Sequence, residues 1–230
     1  MQEEIESAFR AAGVAYRGED WAFFERLRHL VLDANAVMNL TRITEAAEFH
    51  GKHVLDSLLP FHAVEALASL GEGLRVADLG SGAGFPGLVL ARMHPSWRVT
   101  LLERTIKKAA FLERTASSLS LHNVDVIAKD ARESGLQRAC GLVTARAVGR
   151  LAEVTRIAGP LLAPKGMLLH YKGGGLDATE LAEGEGAARR LRLVQRAPVA
   201  YLLPPDLARV AVVTVNPPRR RKRGEEPPPS

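Results

Sequence analysis

Residues 76–91, VADLGSGAGFPGLVLA, decide how this chain is read. An apolar run over 74–79 fits a buried strand. A turn dense in glycine follows, with Gly80, Gly82, Gly84 and Gly87. The segment PGLVLARM then starts a helix near Pro86, because proline is tolerated in a first turn. Strand, glycine turn and helix make the layout of a nucleotide or nucleoside-cofactor site, since residues without a Cβ let a ligand approach the backbone. Gly82-Ala-Gly84-Phe-Pro-Gly87 also satisfies G-x-G-x-x-G, the dinucleotide fingerprint. Two residues argue against a pyrophosphate. Asp78, at the carboxyl end of the strand, would repel it, and Pro86 removes one N–H that a phosphate would use. A carboxylate suits a cation instead. S-adenosylmethionine, with a sulfonium, an ammonium and no phosphate, is such a ligand.

The chain has 230 residues, which fits one large α/β domain or a domain with a smaller extension. A chain of this length buries roughly 70% of its unfolded surface and needs no staples. Its one cysteine, Cys140, excludes an internal disulfide framework and fits a reducing cytosol. No N-terminal segment resembles a signal peptide, and no apolar run approaches the roughly 20 residues of a membrane span. A cytoplasmic protein without a membrane partner is expected. Lys and Arg number 31 against 26 Asp and Glu, a net charge of +5, which permits a nucleic-acid partner without demanding one.

Residues 1–70 read as a helical cap: Ile5, Phe9 and Ala12 recur at helical spacing, as do Trp21, Phe24, Leu27, Leu30 and Val31. Asn39-Leu40-Thr41 breaks the pattern, Thr44 is placed to cap a helix from Glu45, and 50–67 reads as a further helix. Over 71–216 strands and helices alternate, which predicts a doubly wound parallel sheet. Strands are expected at 74–79, 98–102, 124–128, 140–145 and 166–171, with helices at 106–119, 149–159 and 176–186. Two β-like runs, 191–203 and 208–215, flank Pro204-Pro205-Asp206 with no room for a helix, so they pair as an antiparallel hairpin. That gives a mostly parallel seven-stranded α/β sheet with a terminal hairpin, the layout of class I methyltransferases. The tail, 217–230, is basic and proline-rich, with an uninterrupted cationic run over 219–223, and is expected to be disordered.

Further candidates sit at the ends of the strands. Glu103 closes the second strand, 19 residues after Gly84, where an acidic side chain accepts hydrogen bonds from ribose hydroxyls. Asp130, Ala131 and Arg132 follow the third strand, where backbone and small side chains read an adenine edge, although Asp130 equally suits a turn cap. Arg146 follows the fourth strand and should point into the cleft. Lys172 follows the fifth, placed to touch RNA, to line the pocket or to sit in a surface loop. His50 and His53 lack a third ligand at metal-site spacing, so no metal is expected. There is no G-x-S-x-G, no Cys/His pairing and no P-loop lysine.

Taken together, the residues from about 35 to 216 resemble the glucose-inhibited division protein B family, the bacterial small-subunit ribosomal RNA guanine-N7 methyltransferases. Asn39-Leu40-Thr41 is similar to the family's N-L-T, and His53-Val54-Leu55-Asp56-Ser57 to its H-I-L-D-S. The run from Asp78 to Gly87 is similar to its D-(V/L)-G-(T/S)-G-x-G-x-P-G. Leu101-Leu102-Glu103, Lys107-Lys108, Phe111-Leu112, Arg146-Ala147 and Lys172-Gly173 follow in family order. The resemblance implies S-adenosylmethionine as cofactor and 16S rRNA, or the small ribosomal subunit, as substrate, with a monomer expected. Family binding positions fall on Gly80, Phe85, Ala131, Arg132 and Arg146. With the turn and the acidic residues, the expected cofactor set is Asp78, Gly80, Ser81, Gly82, Gly84, Phe85, Glu103, Ala131, Arg132 and Arg146. The expected substrate set is Asn39, His53, Arg146 and Lys172. One departure stands out: Arg132 occupies a position where the family usually has Glu.

Guanine N7 carries an in-plane lone pair and no proton, so no general base is expected. Positive charge moves from sulfur to the guanine ring. Arg146 or Lys172 would therefore hold O6, a phosphate or the methionine carboxylate, and not N7. Purine N7 lies in the deep major groove of A-form RNA, which predicts a loop or flipped guanine, stacked on Phe85 or on the Arg146 plane. Three other readings remain at this point. They are an NAD(P)-dependent oxidoreductase, a non-catalytic RNA-binding module on a methyltransferase fold, and a methyltransferase for another substrate.

Overall fold

Five parallel strands, the first of them leading into the glycine turn, set the frame. A computed structural model describes residues 2–204 and 207–218. Before the sheet come α1 (Gln2–Ala11), α2 (Gly18–Met38), α3 (Ala46–Phe49), a π-helical segment (His50–Leu55), α4 (Asp56–Ala63) and α5 (Glu65–Ala68). The sheet region runs β1 (Arg75–Leu79), α6 (Gly87–Met93), β2 (Arg98–Leu102), α7 (Ile106–Ser118), β3 (Val124–Ile127), β4 (Cys140–Arg146) and α8 (Leu151–Ala158). It continues with β5 (Leu162–Gly173), α9 (Ala178–Arg190), β6 (Val194–Gln195), β7 (Val199–Leu203) and β8 (Leu207–Val215).

The strand order is β3-β2-β1-β4-β5-β8-β6, with β7 also paired to β8. The first five strands are mutually parallel, and β8 runs antiparallel to β5. The chain therefore reverses direction across the sheet between β1 and β4, and the carboxyl ends of those strands border the crevice where ligands bind in open α/β sheets. The seventh-strand hairpin is present but divided. Val194 pairs with Val215 through β6, and β7 pairs from Val199↔Ala211 to Leu203↔Leu207. Between the two pieces Arg196 N still donates to Val213 O at 2.7 Å, while Pro198 has no N–H to offer. The eight strands among the described residues are thus the seven expected, with one interrupted. The fifth strand starts at Leu162, earlier than expected, because its pairing with β4 shifts register between Cys140 and Leu142. Part of the hairpin turn and the cationic run 219–223 lie outside the described residues.

The helices before β1 share a core with one face of the sheet. Phe24, Leu27 and Val31 recur on one side of α2 and are buried, together with Phe9 and Phe49, in the cluster that holds Leu88, Leu101 and Leu112. Each such fully buried side chain contributes roughly 1.5–3 kcal/mol. Arg92 of α6 reaches across to Asp20 of α2 through Nε (3.0 Å) and Nη2 (2.8 Å). The opposite face packs Val143 and Leu168 against Val154, Ala158 and Ala188 of α8 and α9. Two expectations in the cap are corrected. Thr44 is not a helix cap; α3 starts after Glu45, and the Thr44 carbonyl accepts from Arg28 Nη1 at 3.3 Å. The helix expected over 50–67 is instead a π-helical segment, then α4, then α5, separated by extended backbone at Val64 (φ −111°, ψ 107°).

The turn is closely packed where α6 begins. A Cβ at Gly87 would lie 2.2 Å from Leu101 Cδ2 and 2.9 Å from Asp78 Oδ2. Gly87→Ala should therefore destabilise the fold by about 1–3 kcal/mol, as overpacking does. A urea unfolding midpoint equal to that of the unaltered chain would contradict this packing.

Candidate active site

The turn after β1 is tied to the next strand by its own backbone. Gly80 N and Ser81 N both donate to Leu102 O, at 2.8 and 3.2 Å. Gly80 has φ of 66°, and a Cβ there would meet Val148 Cγ2 at 3.0 Å. Asp78 is 1% exposed. Its Oδ1 accepts from Thr144 Oγ1 at 2.7 Å and its Oδ2 from Gly87 N at 3.2 Å. One carboxylate thus joins β1, β4 and the start of α6. Burial raises its pKa to about 6, against the bonds from Thr144 and Gly87, which favour the ionised form.

A cleft of about 320 Å³ opens beside this turn, at the carboxyl ends of β1, β2 and β4. Gly80, Glu103, Lys129, Asp130, Ala131 and Ala147 are among its walls. Glu103 is held by two backbone donors, Gly82 N to Oε2 (3.1 Å) and Thr105 N to Oε1 (2.8 Å). Each oxygen keeps a second acceptor site. Asp130 caps the short 3₁₀ turn Ala131–Glu133 by accepting from Arg132 N at 2.9 Å. The Arg132 side chain is 63% exposed and pairs with Asp130 at 3.3 Å.

A second cleft, about 360 Å³, lies on the other side of Ala147. Lys52, His53, Asp56, Arg146, Lys172 and Arg209 line it. Arg146 donates through Nη1 to Lys52 O (3.1 Å) and to Asp56 Oδ2 (3.4 Å), and its Nη2 lies 3.0 Å from His53 Nδ1. A guanidinium has no acceptor, so His53 Nδ1 supplies the lone pair and Nε2 carries the proton. That proton goes to Thr41 Oγ1 at 2.9 Å. Burial, then the Arg146 charge, hold the His53 pKa down at about 3, so the ring is neutral. Asp56 also accepts from Tyr201 OH at 3.0 Å and lies 3.4 Å from Arg209 Nε. Lys172 donates to Gly149 O at 2.7 Å and pairs with Glu180 at 2.6 Å. Ala147 walls both clefts, so they meet at the end of β4.

A family model described as rRNA small subunit methyltransferase G, GidB, matches residues 21–199. The chain belongs to the GidB family. Among curated relatives, the ribosomal RNA small subunit methyltransferase G of Sorangium cellulosum is 41% identical, covering 86% of this chain and 77% of that protein. The protein of the same name from Solibacter usitatus is 37% identical, covering 82% of this chain and 87% of its own. Among solved structures, an S-adenosylmethionine-dependent methyltransferase from Aquifex aeolicus superposes with a TM-score of 0.52 at 15% identity, over 70% of this chain and 95% of that one. That likeness establishes the class I methyltransferase fold. The GidB chain is an S-adenosylmethionine-dependent methyltransferase.

The first cleft fits that cofactor. Glu103 presents two spare acceptor sites for ribose hydroxyls, and Gly80 and Ala131 wall the cleft without bulk. Of the residues expected to bind the cofactor, only these three line the cleft together. Asp78, at the end of β1, and Gly82 and Gly84, in the turn, do not line the cleft. Ser81 is buried, and its Oγ donates to the Asp78 carbonyl at 2.9 Å, so its hydroxyl is turned to the turn itself. The Arg132 guanidinium is not part of the wall. Arg146 sits in the second cleft, not the first. Phe85 is 5% exposed, stacked on His53 at 4.5 Å with Arg146 5.5 Å over its ring. No face of it is open, which corrects the expectation of a base stacked on Phe85. Asn39 lines neither cleft; it caps α2 in the left-handed region (φ 50°). Lys172 does line the second cleft, but its ammonium is already engaged. Asp56 and Arg209 also line the second cleft, beyond the residues expected there; the H-V-L-D-S motif contains Asp56, whereas Arg209 has no local signal. Among the described residues no group of three or more His, Cys, Asp or Glu could hold a metal ion, and no helix is long and apolar enough to cross a membrane.

Two outcomes follow from this geometry. Because the folded pKa of Asp78 lies above its ordinary value of 3.8, protonated Asp78 favours the fold. Its contribution is full below 3.8 and is lost as pH rises to about 6. The difference in melting temperature between the unaltered chain and Asp78→Asn should change across that window and be flat above it. Parallel curves would show that Asp78 does not carry the dependence. Arg132→Ala should alter S-adenosylmethionine affinity by no more than about twofold in calorimetry, as for a surface substitution. A larger loss would place the guanidinium on the ligand.

Proposed function

We propose that this chain moves a methyl group from S-adenosylmethionine, held in the first cleft, to N7 of a guanine of 16S rRNA presented in the second. We further propose that it does so in the cytoplasm and as a monomer. The observation that carries this reading is the meeting of the two clefts at Ala147, directly after Arg146. A donor on one side and an acceptor on the other are then aligned across one residue.

When bound, the cofactor supplies a methyl group activated by its sulfonium. The chain supplies alignment, which is able to provide roughly 7–11 kcal/mol of a barrier. N7 has no proton to lose. Among the described residues that line the second cleft, the His53 lone pair faces Arg146, and Asp56 accepts from Tyr201 and Arg146. Arg146 is held from three sides, so its plane is fixed. Placed on O6 or a phosphate it would orient the ring, whereas placed on N7 it would block the nucleophile. Cations at the cleft suit RNA, and the depth of the A-form major groove favours a loop or flipped guanine.

The test is transfer of labelled methyl to 16S rRNA, free and in the small subunit, with the product mapped by cleavage at N7-methylguanine. One labelled guanine is expected. Cofactor binding without transfer to either form of the rRNA would send the reaction to another substrate. Loop RNA should be methylated at least about tenfold faster than the same sequence in perfect duplex, since unpairing costs a few kcal/mol. Equal rates would overturn the flipped-base part of the reading.

A further inference from the structure

Asp56 is a buried carboxylate between two arginines from different strands. Its side chain is 3% exposed. Oδ2 faces Arg146 Nη1 of β4 at 3.4 Å, while Oδ1 faces Arg209 Nε of β8 at 3.4 Å and accepts from Tyr201 OH at 3.0 Å. The arginines are held unequally. Arg146 is fixed by Lys52 O and His53 as well, whereas among the described residues Arg209 faces Asp56 by its Nε edge alone, as an ion pair without a hydrogen bond. Among the described residues no hydrogen bond reaches the Arg209 terminal nitrogens, and the residue lines the second cleft.

The charges leave a remainder. Lys52 pairs with Glu48 and Lys172 with Glu180. Among the described residues, two guanidiniums then share one carboxylate, which leaves one positive charge in the cleft. A neutral guanine does nothing to balance it, and methylation makes the ring cationic as well. An anion beside the ring removes that opposition, and RNA supplies one phosphate with every nucleotide.

We propose that Asp56 is a positioning residue: it aims the Arg209 fork at the backbone phosphate of the target nucleotide and keeps Arg146 in the plane of the base. This rests on the methyl-transfer reading above. A fork presented by its terminal nitrogens suits bidentate contact with a phosphate, which a lysine cannot reproduce.

The experiment uses the full chain and a loop RNA carrying the mapped guanine, with and without a neutral methylphosphonate at that nucleotide. Asp56→Asn keeps the shape and removes the counter-charge. It should lower kcat at least about tenfold while RNA binding is as tight or tighter and cofactor affinity is unchanged. Loss of cofactor and RNA binding together would mark a merely structural residue and overturn the proposal. Arg209→Lys, which keeps the charge, should retain the salt dependence of RNA binding yet lose about tenfold in kcat/KM. The methylphosphonate should cost the unaltered chain a similar factor and the Arg209→Lys variant little more. Wild-type rates for Arg209→Lys, or indifference of the unaltered chain to the methylphosphonate, would each overturn it. Absence of transfer by the unaltered chain would overturn the methyl-transfer reading itself, which these variants cannot do.

Discussion

The buried carboxylate of Asp78 is the constraint on which the site depends. It ends β1, accepts the first amide of α6 at Gly87, and accepts the Thr144 hydroxyl of β4. Those three elements border the point where the sheet reverses direction. Holding an acid in an apolar interior is costly, and its raised pKa records that cost. The bonds that offset it are the same bonds that close the glycine turn. Fold and cleft therefore share one anchor, and the glycines around it are needed because Leu101, Leu88 and Val148 leave no space for a side chain.

A second hub lies in the cap. The segment His53–Ser57 reaches five separate parts of the chain. His53 meets Thr41 and Arg146, Asp56 meets Tyr201 and Arg209, and the Ser57 carbonyl accepts from Tyr171 OH at 2.8 Å. Its π-helical approach, His50–Leu55, puts Lys52 and His53 on the cleft side, in keeping with the tendency of such segments to sit at functional sites. The cap is thus more than a cover for the sheet. It supplies Lys52, His53 and Asp56 to the wall of the second cleft, while the glycine turn supplies Gly80 to the wall of the first.

Some residues showed their place in the sequence because that place is local. Gly80 and Glu103 lie at fixed distances from strand ends, which are visible as the limits of apolar runs, and both line the first cleft. Phe85 misled for the opposite reason. An aromatic in a ligand loop looks like a stacking platform, but His53, 32 residues earlier, already covers it. Arg132 looked like a serious departure at the adenine edge, yet a 3₁₀ turn capped by Asp130 directs its side chain to solvent. Asn39 resembled a substrate residue by motif and is a helix cap by geometry.

The sequence by itself determined the doubly wound sheet, its terminal hairpin, the glycine turn and the acid after the second strand, because each depends on neighbours within a few residues. It also carried the family likeness. Only the tertiary structure decided that Asp78 faces inward, that two clefts meet at Ala147, and that Asp56 joins Arg146 to Arg209. Those residues are separated by 90 and 153 positions from Asp56, and their charges acquire meaning only when burial takes them out of water and makes each dependent on the others.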